Sequence, residues 1–321
     1  MDQGWLGAIG NTPLVPLKKL FPREETGLTV YAKLELMNPG GSAKDRPAWR
    51  MLRSAWQEGR IGPGSVVVES SSGNMAISLA AICSYLGMKF ISVVDPRTAA
   101  HNIRIMRAYG ADVSPVTEPD PETGEFLPAR LSRVRQLLND IPGSYWPNQY
   151  ESEHNVMAHY EGTMPEIEAA LERVDFVAGG VSTCGTMLGC ANYIRDCGLD
   201  AKVIAVDAVG SVIFGGEKGP RLFPGLGAGI VPPFGRSRFM DYAVQVSDRD
   251  MAIGCRRLVR EEAILAGPSS GAVISALTAL RHRLPKDSVC VVILHDRGDR
   301  YMDTVYNDEW IREQFGAEAL S

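Results

Sequence analysis

Cysteine is sparse in this 321-residue chain, and its six copies form no C-x-x-C pair and no spacing of a zinc site or disulfide framework. Cys83, Cys184, Cys190, Cys197, Cys255 and Cys290 are therefore expected as reduced thiols of a cytoplasmic protein. No apolar stretch approaches the roughly 18 residues of a membrane span. The opening MDQGWLGAIGNTPL also lacks the basic start and apolar core of a secretory leader, so no membrane association is expected. Lysine is scarce as well, at eight of the 33 basic residues, and no basic run is interleaved with aromatics. With a net charge of -5, nucleic acid is excluded as an expected partner. Scarcity also makes each lysine stand out as a possible amine nucleophile. Internal repeats and low-complexity tracts are missing too.

What is present is ample apolar material, 45% of the chain against 22% charged, in a length sufficient for two α/β domains with cores of their own. Short β-branched runs recur with amphipathic stretches between them, the alternation of parallel sheets covered by helices. Strands are expected at Val30–Leu34, Val66–Glu69, Phe90–Val94, Phe176–Ala178, Val203–Val206 and Val289–Leu294. Helices are expected at Pro47–Glu58, Asn74–Leu86, Asn102–Ala108, Ala129–Leu138, Glu153–Leu171, Asp248–Glu262 and Gly271–Leu280. The fold class is α/β.

Four segments can carry chemistry. In N-P-G-G-S-A-K-D-R, Asn38 to Arg46, a glycine turn delivers Lys44 just before Pro47, a residue suited to a first helical turn. The helix dipole there favours an uncharged amine and imine formation with an aldehyde, although a lysine after a glycine turn also reads as a solvated surface cation. In E-S-S-S-G-N-M, Glu69 to Met75, three hydroxyls and Gly73 precede a helix start that suits a small carboxylate; a Ser-rich N-cap is the plain alternative. G-G-V-S-T-C-G-T-M-L-G, Gly179 to Gly189, follows a strand and precedes a helix, with main-chain amides and the hydroxyls of Ser182, Thr183 and Thr186 suited to a phosphate monoester. It has neither a Walker lysine nor a G-x-G-x-x-G fingerprint, and Cys184 within it is read as a packing residue. G-P-S-S-G-A, Gly267 to Ala272, opens a helix, and Ser269 offers a neutral hydroxyl for a ring nitrogen or an ordinary cap. G-L-G-A-G, Gly225 to Gly229, follows no expected strand and reads as a loop. His154 and His159 are five apart, on different faces of a helix, so no metal site is expected.

In this order, from I-G-N-T-P-L (Ile9 to Leu14) to H-D-R-G-D-R-Y (His295 to Tyr301), the segments resemble the cysteine synthase and cystathionine β-synthase group of pyridoxal-phosphate enzymes. The resemblance implies the tryptophan-synthase-β-like fold, fold type II, with two domains each built on a mostly parallel twisted sheet. A small mobile domain over 38–148 and a large cofactor-binding domain from 1–37 plus 149–321 are expected. It also implies pyridoxal 5'-phosphate as cofactor, small amino-acid substrates and a homodimer. Lys44 takes the position of the Schiff-base lysine and Asn74 that of the ring O3′ partner. Ser182, Thr183, Cys184, Gly185 and Thr186 match the phosphate loop, and Ser269 the pyridine-nitrogen partner. Ser71, Ser72, Gly73 and Gln149 match the residues that grip the substrate carboxylate. A ring nitrogen facing neutral Ser269 is not held protonated, which favours β-elimination over transamination.

Departures from ordinary cysteine synthases narrow the resemblance. Met75 stands where a threonine is usual, Val93 to Arg97 reads V-V-D-P-R, and the last strand runs into D-R-G-D-R. With Y-W-P-N-Q-Y (Tyr145 to Tyr150), V-D-A-V-G-S-V-I-F (Val206 to Phe214) and P-G-L-G-A (Pro224 to Ala228), these features resemble a branch that joins O-phospho-L-serine to L-glutamate through an α-aminoacrylate. The implied product is N-(2-amino-2-carboxyethyl)-L-glutamate, a source of 2,3-diaminopropionate for siderophores and peptide antibiotics. The phosphate dianion calls for a cation and hydroxyls, for which Arg130, Tyr150 and Ser182 are the candidates, against a solvated basic face over Arg130 to Arg135. Arg297 and Arg300 are candidates for the glutamate carboxylates. The alternatives are a cysteine synthase using O-acetylserine or O-phosphoserine with sulfide, and a regulator that binds an amino acid without turning it over.

Overall fold

The computed structural model describes residues 4–320. Its strands are β1 (Leu14–Pro16), β2 (Thr29–Lys33), β3 (Val66–Ser70), β4 (Lys89–Val94), β5 (Asp112–Pro115), β6 (Phe176–Gly180), β7 (Lys202–Ala208), β8 (Tyr242–Val246) and β9 (Val289–Ile293). Two compact units result, one comprising the stretch up to Ile9 with Lys44–Asn155, the other Gly10–Ala43 with the chain from Val156 onward.

The first unit carries the three-stranded sheet β3-β4-β5, parallel throughout. Alternation of side chains assigns its two faces. Val67, Phe90 and Val94 pack with helices Asp45–Gln57, Asn74–Tyr85 and Ala100–Ala108, while Val68 and Val93 meet Val134 and Leu137 of helix Phe126–Asp140. Helix Asn74–Tyr85 is buried over Met75 to Cys83, so it has no polar stripe and its start is held firmly in place.

The second unit carries a six-stranded sheet in the order β1-β2-β9-β6-β7-β8, parallel except for β1 against β2. Cys290 and Val292 of β9 face one core with Phe176 and Ala178, whereas Val291 and Ile293 face another with Val177. Burial on both faces explains why these strands read as continuous apolar runs. Helices Asp248–Glu262 and Pro268–Leu280 cover the first of these cores. They pack backbone to backbone, because a Cβ on Gly254 would run into the Gly271 carbonyl. The helix that carries Ser269 is therefore held rigidly.

The expected α/β class with helix-covered, mostly parallel sheets is observed. One expected element is not continuous: Glu153–Leu171 divides into Glu153–Ala158, a wide π-helical turn over His159–Thr163, and Met164–Ala170. The widened turn turns His159 and Thr163 inward, where both are fully buried. The strands β1, β5 and β8 and helix Asp308–Phe315 come in addition to the expected elements. No helix among the described residues is long and apolar enough to cross a membrane, and none of their His, Cys, Asp and Glu groups could hold a metal ion.

Candidate active site

The turn before Lys44 is built for close approach. Asn38 is fully buried; its Oδ1 accepts from Gly10 N at 2.9 Å and its Nδ2 donates to the Glu35 carbonyl at 2.9 Å. Gly41 has φ +88°, and a Cβ there would lie 2.9 Å from Arg300 Nη2 and 3.2 Å from Arg297 Cδ. Arg297 donates to the Leu36 carbonyl at 3.0 Å and Arg300 to that of Gly40. These two arginines, considered above for the glutamate carboxylates, thus brace the turn. Lys44 itself is half-buried and stands as the N-cap of helix Asp45–Gln57.

In the same unit the start of helix Asn74–Tyr85 is tied to the start of the Lys44 helix. Ser78 Oγ donates to the buried carboxylate of Asp45 and lies 3.0 Å from the Asn74 carbonyl. Ser71 Oγ accepts from Ala76 N at 3.2 Å, Ser92 Oγ donates to the Ser71 carbonyl at 2.6 Å, and Asn102 Nδ2 donates to the Ser72 carbonyl at 3.1 Å. A Cβ at Gly73 would meet nothing within 4 Å, so the loop opens onto free space at that point. Gln149 comes to the same loop, its Nε2 3.5 Å from the Ser70 carbonyl.

Arg130 does not sit on a solvated face. Its side chain is 11% exposed, and it forms an ion pair with Asp95, Nε to Oδ2 3.6 Å. Burial pushes the Tyr150 phenol upward while the Arg130 charge pulls it down, which places the two within electrostatic range. The remaining arginines of the helix diverge. Arg133 donates to Ser114 Oγ at 3.1 Å, and Arg135 is exposed.

In the second unit β6 ends in Gly179 and Gly180, where added Cβ atoms would strike Met187 and Leu226. The chain then turns through Ser182, Thr183 and Cys184, the last with φ +69° at the N-cap of helix Gly185–Asp196. A left-handed non-glycine residue is uncommon and marks a strained turn. Ser182 Oγ donates to the Gly227 carbonyl at 3.2 Å, and Gly227 N donates to the Val181 carbonyl at 2.7 Å. The Gly225–Gly229 segment therefore docks on this loop. Thr186 Oγ1 lies 3.2 Å from His159 Nε2, and Gly180 N donates to His295 Nε2 at 2.9 Å. Cys184 is buried, and burial of this kind leaves a thiol as a packing group. Ser269 Oγ donates to Asp296 Oδ1 at 3.4 Å, and Tyr301 donates to the other oxygen of that buried carboxylate at 2.7 Å.

The family described as "Pyridoxal-phosphate dependent enzyme" matches residues 6–296. The chain belongs to the pyridoxal-phosphate-dependent enzymes. It is 46% identical over 304 residues, 94% of this chain and 89% of the relative, to N-(2-amino-2-carboxyethyl)-L-glutamate synthase of Ralstonia nicotianae. It is 44% identical over 308 residues, 95% of this chain and 89% of the relative, to the synthase of the same name from Cupriavidus metallidurans. The crystal structure of O-ureido-L-serine synthase superposes with a TM-score of 0.87 at 28% identity, covering 98% of this chain and 96% of that one. These are fold type II enzymes, and the cofactor of this one is pyridoxal 5'-phosphate.

The residues present fit that cofactor. A helix of 12 residues opens on a strained turn flanked by Thr183 and Thr186 hydroxyls, a donor set suited to a phosphate monoester. Three contributors receive no role from the sequence: His159 behind Thr186, Asp296 behind Ser269, and Glu69 behind Gln149. A polar residue in an otherwise apolar run, as at Glu69 after Val66–Val68, is the one signal that points to any of them.

Proposed function

We propose that this enzyme catalyses β-replacement, joining O-phospho-L-serine to L-glutamate to give N-(2-amino-2-carboxyethyl)-L-glutamate and phosphate. The names of the relatives at 44–46% identity support the product. The observation that carries the phosphate assignment is Arg130, a guanidinium held 11% exposed in an ion pair with Asp95 at 3.6 Å and within electrostatic range of Tyr150. A guanidinium carries five N–H donors, and a phosphate dianion accepts from them more strongly than an acetyl ester does.

The cofactor supplies an electron sink that acidifies Cα–H of the bound amino acid and lets the β-substituent leave. Lys44 would hold the cofactor at its aldehyde, and its amine would move the Cα proton of the bound amino acid. Asn74 and Ser269 would hold the cofactor ring, Asn74 at its hydroxyl side and Ser269 at its nitrogen. Ser182, Thr183, Cys184, Gly185 and Thr186 hold the cofactor phosphate. Ser71, Ser72, Gly73 and Gln149 grip the substrate carboxylate, while Arg130, Tyr150 and Ser182 receive the departing phosphate. The enzyme works as a cytoplasmic homodimer, and its product feeds the making of 2,3-diaminopropionate for a siderophore or peptide antibiotic.

Mass spectrometry of the products from O-phospho-L-serine offered with L-glutamate and sulfide together tests this reading. The expected product is N-(2-amino-2-carboxyethyl)-L-glutamate; cysteine as sole product would make the enzyme a cysteine synthase, and no phosphate release would leave only a binding role.

A further inference from the structure

Glu69 is the penultimate residue of β3 and is fully buried. Its carboxylate gathers N–H groups. Oε1 accepts from Ser70 N at 2.8 Å and from Trp146 Nε1 at 3.1 Å, and Oε2 accepts from Gln149 N at 3.2 Å. Ser70 leads directly into the Ser71–Asn74 loop, and Gln149 is the other half of the proposed carboxylate grip. The segment that carries Trp146 and Gln149 runs beside β3, with Tyr145 N donating to the Val66 carbonyl and Val68 N to that of Tyr145, each at 2.8 Å. Glu69 closes the end of this ladder.

A glutamate carboxyl suits the position, because both of its oxygens accept from the converging N–H groups. An amide would turn its NH2 toward one of three converging donors, and an aspartate would fall one methylene short. Burial raises the carboxyl to about 7, and the bonds from Trp146, Gln149 and Ser70 pull against that rise. The groups that feel its charge are Tyr145 and Tyr150.

We infer that Glu69 is a positioning residue, holding the Ser71–Asn74 loop and Gln149 in the one arrangement that receives the carboxylate of the amino-acid substrate. The inference rests on the proposed roles of Ser71, Ser72, Gly73 and Gln149, and its test separates the two.

The test is the binding of L-serine and of L-serinamide, which lacks the carboxylate, to the holoenzyme and to Glu69→Gln, read from the absorbance of the bound cofactor. In the wild type L-serine binds more tightly than the amide. Glu69→Gln weakens L-serine about tenfold and leaves L-serinamide unchanged, as losing one buried charge-assisted arrangement implies. Equal weakening of both ligands would make Glu69 a general structural residue and overturn the inference. A wild type that does not distinguish the two ligands would overturn the carboxylate grip itself. Should Glu69→Gln fail to fold, Trp146→Phe removes one donor from the same oxygen. It is expected to give a smaller loss, about threefold, for L-serine alone, and an equal loss for L-serinamide would again overturn the inference.

Discussion

His159 Nε2 stands 3.2 Å from Thr186 Oγ1, and the Nδ1 of the same ring lies 2.8 Å from Thr163 Oγ1, so one buried imidazole ties the π-helical turn to the start of helix Gly185–Asp196. Replacing His159 with alanine removes the partner of a buried hydroxyl and should weaken cofactor retention about tenfold, as a lost buried hydrogen bond implies. Equilibrium dialysis against dilute cofactor measures it, and unchanged retention would separate His159 from the loop.

This contact depends on Gly189. A Cβ at that position would run into the Val156 carbonyl and lie 2.8 Å from His159 Cβ, so the helix beginning at Gly185 could not approach the turn. Gly189→Ala should cost ~1–3 kcal/mol by overpacking, with loss of cofactor in parallel, measured by urea unfolding of the holoenzyme. A neutral result would mean that the two helices slide apart at no cost.

Much of this was legible beforehand, for a physical reason. Strands buried on both faces, such as Val66–Ser70, Phe176–Gly180 and Val289–Ile293, read as unbroken β-branched runs, and the Glu69–Met75 and Gly179–Gly189 motifs sit where such a run meets a helix start. The strands Leu14–Pro16, Asp112–Pro115 and Tyr242–Val246 were not, since they are short or half-exposed and carry polar residues or proline. Glu69, His159 and Asp296 were hidden differently. Their partners lie 80, 27 and 27 positions away, and only the folded chain brings them together.

Arg130 supplies the third prediction. Arg130→Ala should weaken O-phospho-L-serine about a hundredfold and O-acetyl-L-serine only a few-fold, because only the former presents a dianion to a buried guanidinium. Competition binding on the holoenzyme measures both. Equal losses would remove Arg130 from the phosphate subsite.

A fourth concerns pH. Below 4.5 the Glu69 carboxyl is protonated in both the folded and unfolded chain, and above about 7 it is ionised in both. Between these values the folded state holds a proton that the unfolded chain has released, so stability falls as pH rises through the window. The span from 4.5 to about 7 corresponds to on the order of 3 kcal/mol. Glu69→Gln removes the effect, and urea midpoints of the two proteins compared across this window should converge at low pH and diverge at high pH. A constant difference would show that the carboxyl is not raised.

The cofactor linkage remains the most direct test. Lys44 opens a helix whose next residue, Asp45, is held by Ser78 beside Asn74, and it is one of only eight lysines. Borohydride reduction of the holoenzyme makes a lysine-to-aldehyde link permanent, and peptide mapping then locates it. The account predicts the pyridoxyl group on Lys44 and on no other lysine; a label on a different lysine, or none at all, would contradict it.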